Sequence, residues 1–405
     1  MNIIQVSILT PFKENVRGTS ALPYHLMVKR DKDIKIEIYS FNCNHLSDEQ
    51  IAQVEKEQDV KIHIIPLPKW FVWIFKLHLL FLRVFLKYPL HNYITLPRKM
   101  KNEIVAKQPD GVWIYGEELS RVSRQLAEFR RVHTFPDSEA LFYYRMLGQR
   151  FVMNDKMKYW RCAFMYRKFR LMERNMDDSP NVAYHLVGDE DAKFLKDMNP
   201  RLQAYFIRHP HYEVKSCEKE QITFSKPKIK LLVAGQYNYY MKQDADEMVE
   251  ALVTTPNLKQ LIDKYKITFL GRGWEHHVEK LQKVGWEAQH ITFAQDYIEE
   301  ISKYDIQLTP ISIGTGTKGK VLDALANGLL VIGSYYAMEN IAVADRKECL
   351  IYQVPKEIPQ FLLQITEEFA EYEDMAARAE NAVRKKHNRE NISQRLFSLF
   401  EDSIL

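Results

Sequence analysis

At 405 residues, 46% of them hydrophobic and 27% charged, the chain is long enough for two ordinary domains and lacks the composition of a disordered protein. A formal net charge of only +4 argues against a globally basic nucleic-acid binder, and no nucleic-acid partner is expected. The four cysteines, Cys43, Cys162, Cys217 and Cys349, lie far apart with no CxxC pair and no metal-ligand spacing, so they read as free thiols in a reducing compartment.

The opening run MNIIQVSILTPF has no basic region followed by a long apolar stretch and a small-residue cleavage site. It reads as a first core strand and predicts a cytoplasmic location. Ile3–Leu9, Ile34–Ser40, Lys61–Leu67, Val112–Tyr115 and Arg131–Thr134 are β-rich runs separated by segments long enough for crossover helices, the rhythm of a parallel sheet. After the first run, Arg17, Gly18, Thr19 and Ser20 precede a helix, which Thr19 or Ser20 could cap.

The most apolar stretch, KWFVWIFKLHLLFLRVFLKYPL, is interrupted by Lys76, His78 and Arg83, and its uninterrupted part is too short to span a bilayer. Aromatics and leucines with basic residues among them suit an interfacial helix on anionic lipid, while a core or interdomain helix explains the same apolarity. The segment MKYWRCAFMYRKFRLMER repeats the mixture of aromatic and basic residues.

Asn181–Val187 and Gln203–Arg208 are further strand candidates, which closes a first domain at 1–210, with a polar linker over 211–228. From Ile229 the alternation restarts with strand IKLLVAG, a helix to about Leu252, strand ITFLG, a helix near His277–Val284, strand HITF, a helix near Tyr297–Tyr304 and strand DIQLTPI. Helix Val321–Ala326, stopped by Gly328, and strand LLVIGS follow, with helices from Gln360 onward. A second domain over 229–385 results, with a C-terminal helix over 386–405 that has packing back on the first domain as one option. The fold class is α/β: two Rossmann-like, doubly wound domains facing a cleft, with ligands expected at the carboxyl ends of the strands.

The loop GTGTKGK joins a strand to a helix N-terminus, where backbone N–H groups and the helix dipole favour an anion, and Lys318 and Lys320 add positive charge. Gly314, Gly316 and Gly319 fit the dinucleotide pattern GxGxxG, with Glu339 about 20 residues on, but that fingerprint belongs to the first βα turn of a domain. Gly314 to Lys320 also fits GxxxxGK, yet Val321 replaces the hydroxyl residue that a P-loop needs for magnesium.

The stretch PISIGTGTKGKVLDALANGLLVIGSYYAMENI resembles the donor-binding region of family 4 glycosyltransferases through Pro310, Gly314, Gly316, Lys320, Asp323, Ala324 and Gly328. The resemblance implies a GT-B fold, a nucleoside diphosphate-sugar donor held by the second domain and an acceptor held by the first. It also implies no cofactor or obligatory metal, and retention of anomeric configuration. On this reading Gly314, Gly316, Thr317, Lys318 and Lys320 hold the diphosphate, and Asp323 contacts the ribose. Thr315 stands where the family commonly has a glutamate. VHTFPD reproduces part of a first-domain motif with Asp137 in place, Pro136 where histidine is usual, and His133 as a displaced substitute. Gln236 stands at the usual arginine place and Lys242 near the usual lysine, while Arg17 and Gly18 fall in the acceptor-side loop. The expected activity is transfer to a glycan or lipid-linked acceptor in bacterial surface polysaccharide synthesis, with peripheral contact to the inner face of an anionic membrane. A catalytically weak nucleotide-sugar-binding or scaffold subunit is the alternative.

Overall fold

The computed structural model describes residues 1–214 and 222–401, so Cys217 and part of the 211–228 segment lie outside the described residues. The chain divides into two compact units: Met1–Pro210 together with Arg389–Leu405, and His211–Asn388. Cys43, Cys162 and Cys349 are free thiols.

The described residues of unit 1 form seven strands, β1 (Asn2–Ser7), β2 (Lys35–Ser40), β3 (Lys61–Ile64), β4 (Gly111–Tyr115), β5 (Arg131–Phe135), β6 (Val182–Leu186) and β7 (Ala204–Phe206). All pair in parallel, in the order β3-β2-β1-β4-β5-β6-β7. Successive residues feed two separate cores: Trp113 and Tyr115 pack in one, Val112 and Ile114 in the other. Burial on both faces explains why β4, GVWIY, reads as an unbroken apolar run, whereas β2, KIEIYS, and β3, KIHI, toward the sheet edge are only partly buried. Helix Arg389–Phe397 belongs to this unit, where the Phe397 ring meets Trp113 edge-on at 5.8 Å. Gly111 leaves room for Phe400, since a Cβ there would lie 2.4 Å from its ring.

Unit 2 repeats the plan with β8 (Ile229–Ala234), β9 (Tyr265–Leu270), β10 (Ala288–Ile291), β11 (Ile306–Thr309), β12 (Leu330–Gly333) and the short β13 (Leu350–Ile351), which the sequence pattern did not announce. The order is β10-β9-β8-β11-β12-β13, again parallel throughout. Both sheets are doubly wound, and each reverses its strand order once, between β1 and β4 and between β8 and β11. Such a reversal opens a crevice at the carboxyl ends of the strands, because the crossover helices leave to opposite faces.

The apolar stretch from Lys69 is not one helix. Helix Lys69–Lys76 ends at Leu77, His78 adopts the left-handed region at φ 54°, and a 3-10 segment covers Leu79–Phe85. Among the described residues no helix is long and apolar enough to cross a membrane.

Candidate functional site

In unit 2 the crevice at the β8/β11 reversal is built by the loops that leave those strands. Gly271, after β9, approaches the β8 loop so closely that a Cβ would lie 2.1 Å from the Gly235 carbonyl oxygen. The Trp274 indole donates to that same carbonyl at 2.8 Å. Ser312, after β11, ties the two strand-end loops together: its amide donates to the Tyr240 carbonyl at 2.7 Å, and its Oγ accepts from the Asp244 amide at 2.9 Å.

The glycine-rich loop follows directly. Gly316 takes a left-handed φ of 61°, and the Asn340 side chain donates to its carbonyl at 2.8 Å. Lys318 folds back over the loop, its ammonium donating to the carbonyls of Thr315 at 2.6 Å and Gly316 at 3.3 Å. Gly314 makes room for this, since a Cβ would lie 2.5 Å from Lys318 Cε. Lys318 therefore braces the loop. Thr315 is buried and Thr317 half-buried. Helix Gly319–Ala326 begins at once, and the amides of Gly319 and Lys320 head it at positions that have no intrahelical acceptor.

Lys320 is the more open cation: its side chain is exposed, yet crowding by protein lowers its pKa, against the opposing pull of Asp323. Its ammonium stands 5.4 Å from the centre of the Tyr297 ring, a cation–π distance. The Tyr297 hydroxyl is buried with no hydrogen-bond partner, and burial, reinforced by the Asp323 carboxylate, holds its pKa well above the usual phenol value. Asp323 itself is buried on the helix and accepts from the Tyr212 amide at 3.3 Å. Tyr297 escaped the sequence reading, because only the fold brings the start of helix Tyr297–Ile301 beside Lys320 and Asp323.

Lys242 is engaged elsewhere. It donates to the Tyr237 hydroxyl at 2.6 Å and pairs with Asp246 at 3.3 Å, and the Tyr237 hydroxyl and His277 ring also converge on Asp246. Its pKa is raised, chiefly by the Tyr237 hydrogen bond. As an anion ligand Lys242 would have to leave this network. Gln236 is exposed, and so is Arg272, a cation after β9 that the sequence reading passed over; the Arg272 carbonyl accepts from the Tyr237 amide at 2.9 Å.

In unit 1, His133 is not presented as a catalytic ring. It lies fully buried in β5, Nε2 bonds the Gly116 carbonyl at 2.8 Å, and desolvation lowers its pKa to about 4. Parallel strands are buried on both faces, so a histidine inside one is held neutral. Asp137 is half-buried just after β5. Near it sit two buried carboxyls, Glu117 and Glu173, and the half-buried Glu139. Glu173 accepts from the Ser138 hydroxyl at 2.6 Å and the Ala140 amide at 2.7 Å, and burial raises its pKa to about 7. Burial also raises Glu139, to about 8 with help from Asp137, and Glu117 well above the carboxylate range with help from Glu173. Arg17 and Gly18 lie exposed in the loop after β1, Arg17 at φ 54°. The helix that follows is not capped by the Ser20 side chain, which accepts from the Val16 amide, while Asn15 Oδ1 accepts from the Ala21 amide. Among the described residues no group of three or more His, Cys, Asp or Glu side chains is arranged to hold a metal ion.

Residues 247–398 match the protein family described as Glycosyl transferase-like. No curated protein sequence matches the chain. Solved structures resemble it over almost its whole length. HepE of Anabaena in complex with UDP aligns at a TM-score of 0.65 and 11% identity, covering 98% of this chain and 99% of that one. TarM of S. aureus, in a complex that includes UDP, aligns at 0.63 and 9% identity, covering 99% and 100%. Sucrose-phosphate synthase of Thermosynechococcus elongatus aligns at 0.60 and 11% identity, covering 98% of each chain. The glycosyl transferase-like match is confined to residues 247–398, and the structural likeness over the whole chain shows that its two parallel sheets carry the GT-B fold.

Proposed function

We propose that the chain transfers a sugar from a nucleoside diphosphate-sugar to an acceptor, with the donor diphosphate held at Gly314 to Lys320. The observation that carries this reading is the placement of a glycine loop, a helix N-terminus and the exposed Lys320 together after β11, at the strand-order reversal of unit 2. In this role the Gly319 and Lys320 amides and the Lys320 ammonium stabilise the charge that builds on the leaving diphosphate. Asp323 accepts from ribose hydroxyls, Lys318 keeps the loop in shape, and no metal is required. The complexes of HepE with UDP and with UDP-glucose support a uridine diphosphate donor. The acceptor is a glycan or lipid-linked glycan at the cytoplasmic face of a membrane during surface polysaccharide assembly, and the anomeric configuration is retained.

A panel of UDP-, GDP- and dTDP-sugars tests this by calorimetry and by donor hydrolysis. Indifference to every donor would sink the reading. A second reading, a nucleotide-sugar-binding subunit with weak catalysis, is favoured by one observation: His133 is sealed in the core while Pro136 and Thr315 occupy positions where the family has histidine and glutamate. Tight nucleotide binding without turnover on any acceptor selects it.

A further inference from the structure

We propose that unit 1 docks on an anionic bilayer through a two-piece apolar face, formed by the 70–86 stretch and the Trp160 end of helix Lys156–Arg174. This names the partner that a lipid-linked acceptor requires, but it rests on the surface of unit 1 and not on the donor site.

The first piece is a broken element turned outward. Helix Lys69–Lys76 buries only Phe71, and the 3-10 segment Leu79–Phe85 buries nothing. Trp73 is 57% exposed, Phe81 61% and Phe85 82%. Scattered apolar side chains are normal on a protein surface, but a contiguous run of this size marks an interaction site.

The second piece is joined to the first by Lys168. This lysine is buried, and its ammonium donates to the carbonyls of Arg83 and Leu86 at the end of the 3-10 segment, where the Arg83 carbonyl also accepts from the Leu86 amide. The same ammonium stands 4.7 Å from the centre of the Phe164 ring. Trp160, Phe164 and Lys168 succeed one another at four-residue spacing on one stripe of the helix. The stripe that grips the 83–86 segment therefore runs on to Trp160, 70% exposed and about 12 Å along the axis from Lys168 at 1.5 Å per residue. Met157, 80% exposed, continues it.

Charge selects the partner. No acidic residue occurs between Asp59 and Glu103, or between Asp155 and Glu173, while Lys69, Lys76, Arg83 and Lys87 border the first piece and Lys158 and Arg161 the second. Aromatics between basic side chains suit the boundary between headgroups and acyl chains, with the cations drawn to anionic lipid. A second copy of the chain would bring the same positive border and be repelled.

Flotation of the full chain with phosphatidylcholine vesicles, with and without phosphatidylglycerol, tests the inference, with UDP titration on the same preparations. Wild type is expected to float only with phosphatidylglycerol and to be released by high salt. Phe81→Ser with Phe85→Ser, and separately Trp160→Ser, should each weaken vesicle binding on the order of tenfold, with the melting temperature and UDP affinity unchanged. Failure of wild type to float at low salt overturns the inference, as does full flotation of Trp160→Ser. Lipid-free self-association abolished by Phe81→Ser and Phe85→Ser would assign the face to a second copy. Loss of UDP binding alone would count against the donor reading and leave this one standing.

Discussion

The Lys320 ammonium stands 5.4 Å from the centre of the Tyr297 ring, and the hydroxyl of that ring is buried without a hydrogen-bond partner. The pair shows how unit 2 makes a cation available. Lys318 is held by the carbonyls of Thr315 and Gly316, so of the two loop lysines Lys320 is the exposed one. Lys320→Ala should weaken UDP binding by about 1.5–3 kcal/mol, the range for a hydrogen bond to a charged group, with little change in melting temperature because the side chain is exposed. Calorimetry with UDP decides it, and an unchanged affinity moves the anion site elsewhere.

Asp323 has two roles to separate. Its carboxylate accepts from the Tyr212 amide at 3.3 Å and is the proposed ribose contact. Asp323→Asn keeps an acceptor for that amide but loses the ionised one, so UDP affinity should fall while stability and pyrophosphate affinity hold. Asp323→Ala also removes the hydrogen bond to the part-buried Tyr212 amide, which costs about 0.5–1.5 kcal/mol of stability. Equal losses of UDP and pyrophosphate with Asp323→Asn contradict the ribose assignment.

Gly271 lies hard against the loop that leaves β8. A methyl group there would lie 2.1 Å from the Gly235 carbonyl oxygen, on a residue already at φ 136°. Backbone atoms cannot swing aside as a side chain can, so Gly271→Ala should destabilise the protein by about 3 kcal/mol or more and lower UDP affinity together with it. Gly314→Ala is the contrast, because its methyl meets the flexible end of Lys318 and should cost far less. Similar melting temperatures for the two variants would refute this account.

The two parallel sheets were legible because strands such as Gly111–Tyr115 are buried on both faces and appear as uninterrupted apolar runs. The glycine loop was legible because its strand-loop-helix context is local. What escaped depends on distance in sequence. Whether His133 faces a crevice or the core is invisible in a strand buried on both sides. Lys242 is the exception: Tyr237 and Asp246, which engage it, lie five and four positions away, but the resemblance alone does not show that pairing. The break at His78 has no composition signal, and the segment that follows it is held at Arg83 and Leu86 by Lys168 from a helix far along the chain.

The buried groups of unit 1 make a prediction about pH. Burial lowers His133, His185 and His209 to about 4, whereas in the unfolded chain they titrate near 6.5. As the pH falls below 6.5 the unfolded chain takes up these protons first, so these histidines withdraw stability between about pH 6.5 and 4. The carboxyls work in the opposite sense. Burial raises Glu173 to about 7 and Glu139 to about 8, so the folded form keeps protons that the unfolded chain releases above about 4.5. The stability they contribute is complete below that value and is lost as the pH rises through 7 and 8. The two effects oppose one another at mildly acidic pH, and above 6.5 only the carboxyl loss remains. Urea unfolding should therefore show a decline from about pH 6.5 to about pH 8.5, to which Glu139 contributes on the order of 1 kcal/mol. Glu139→Gln stays neutral throughout and should flatten the decline, without disturbing the bonds that Glu173 makes to Ser138 and Ala140. If the variant loses stability as steeply as wild type over this window, Glu139 does not carry the buried proton assigned to it.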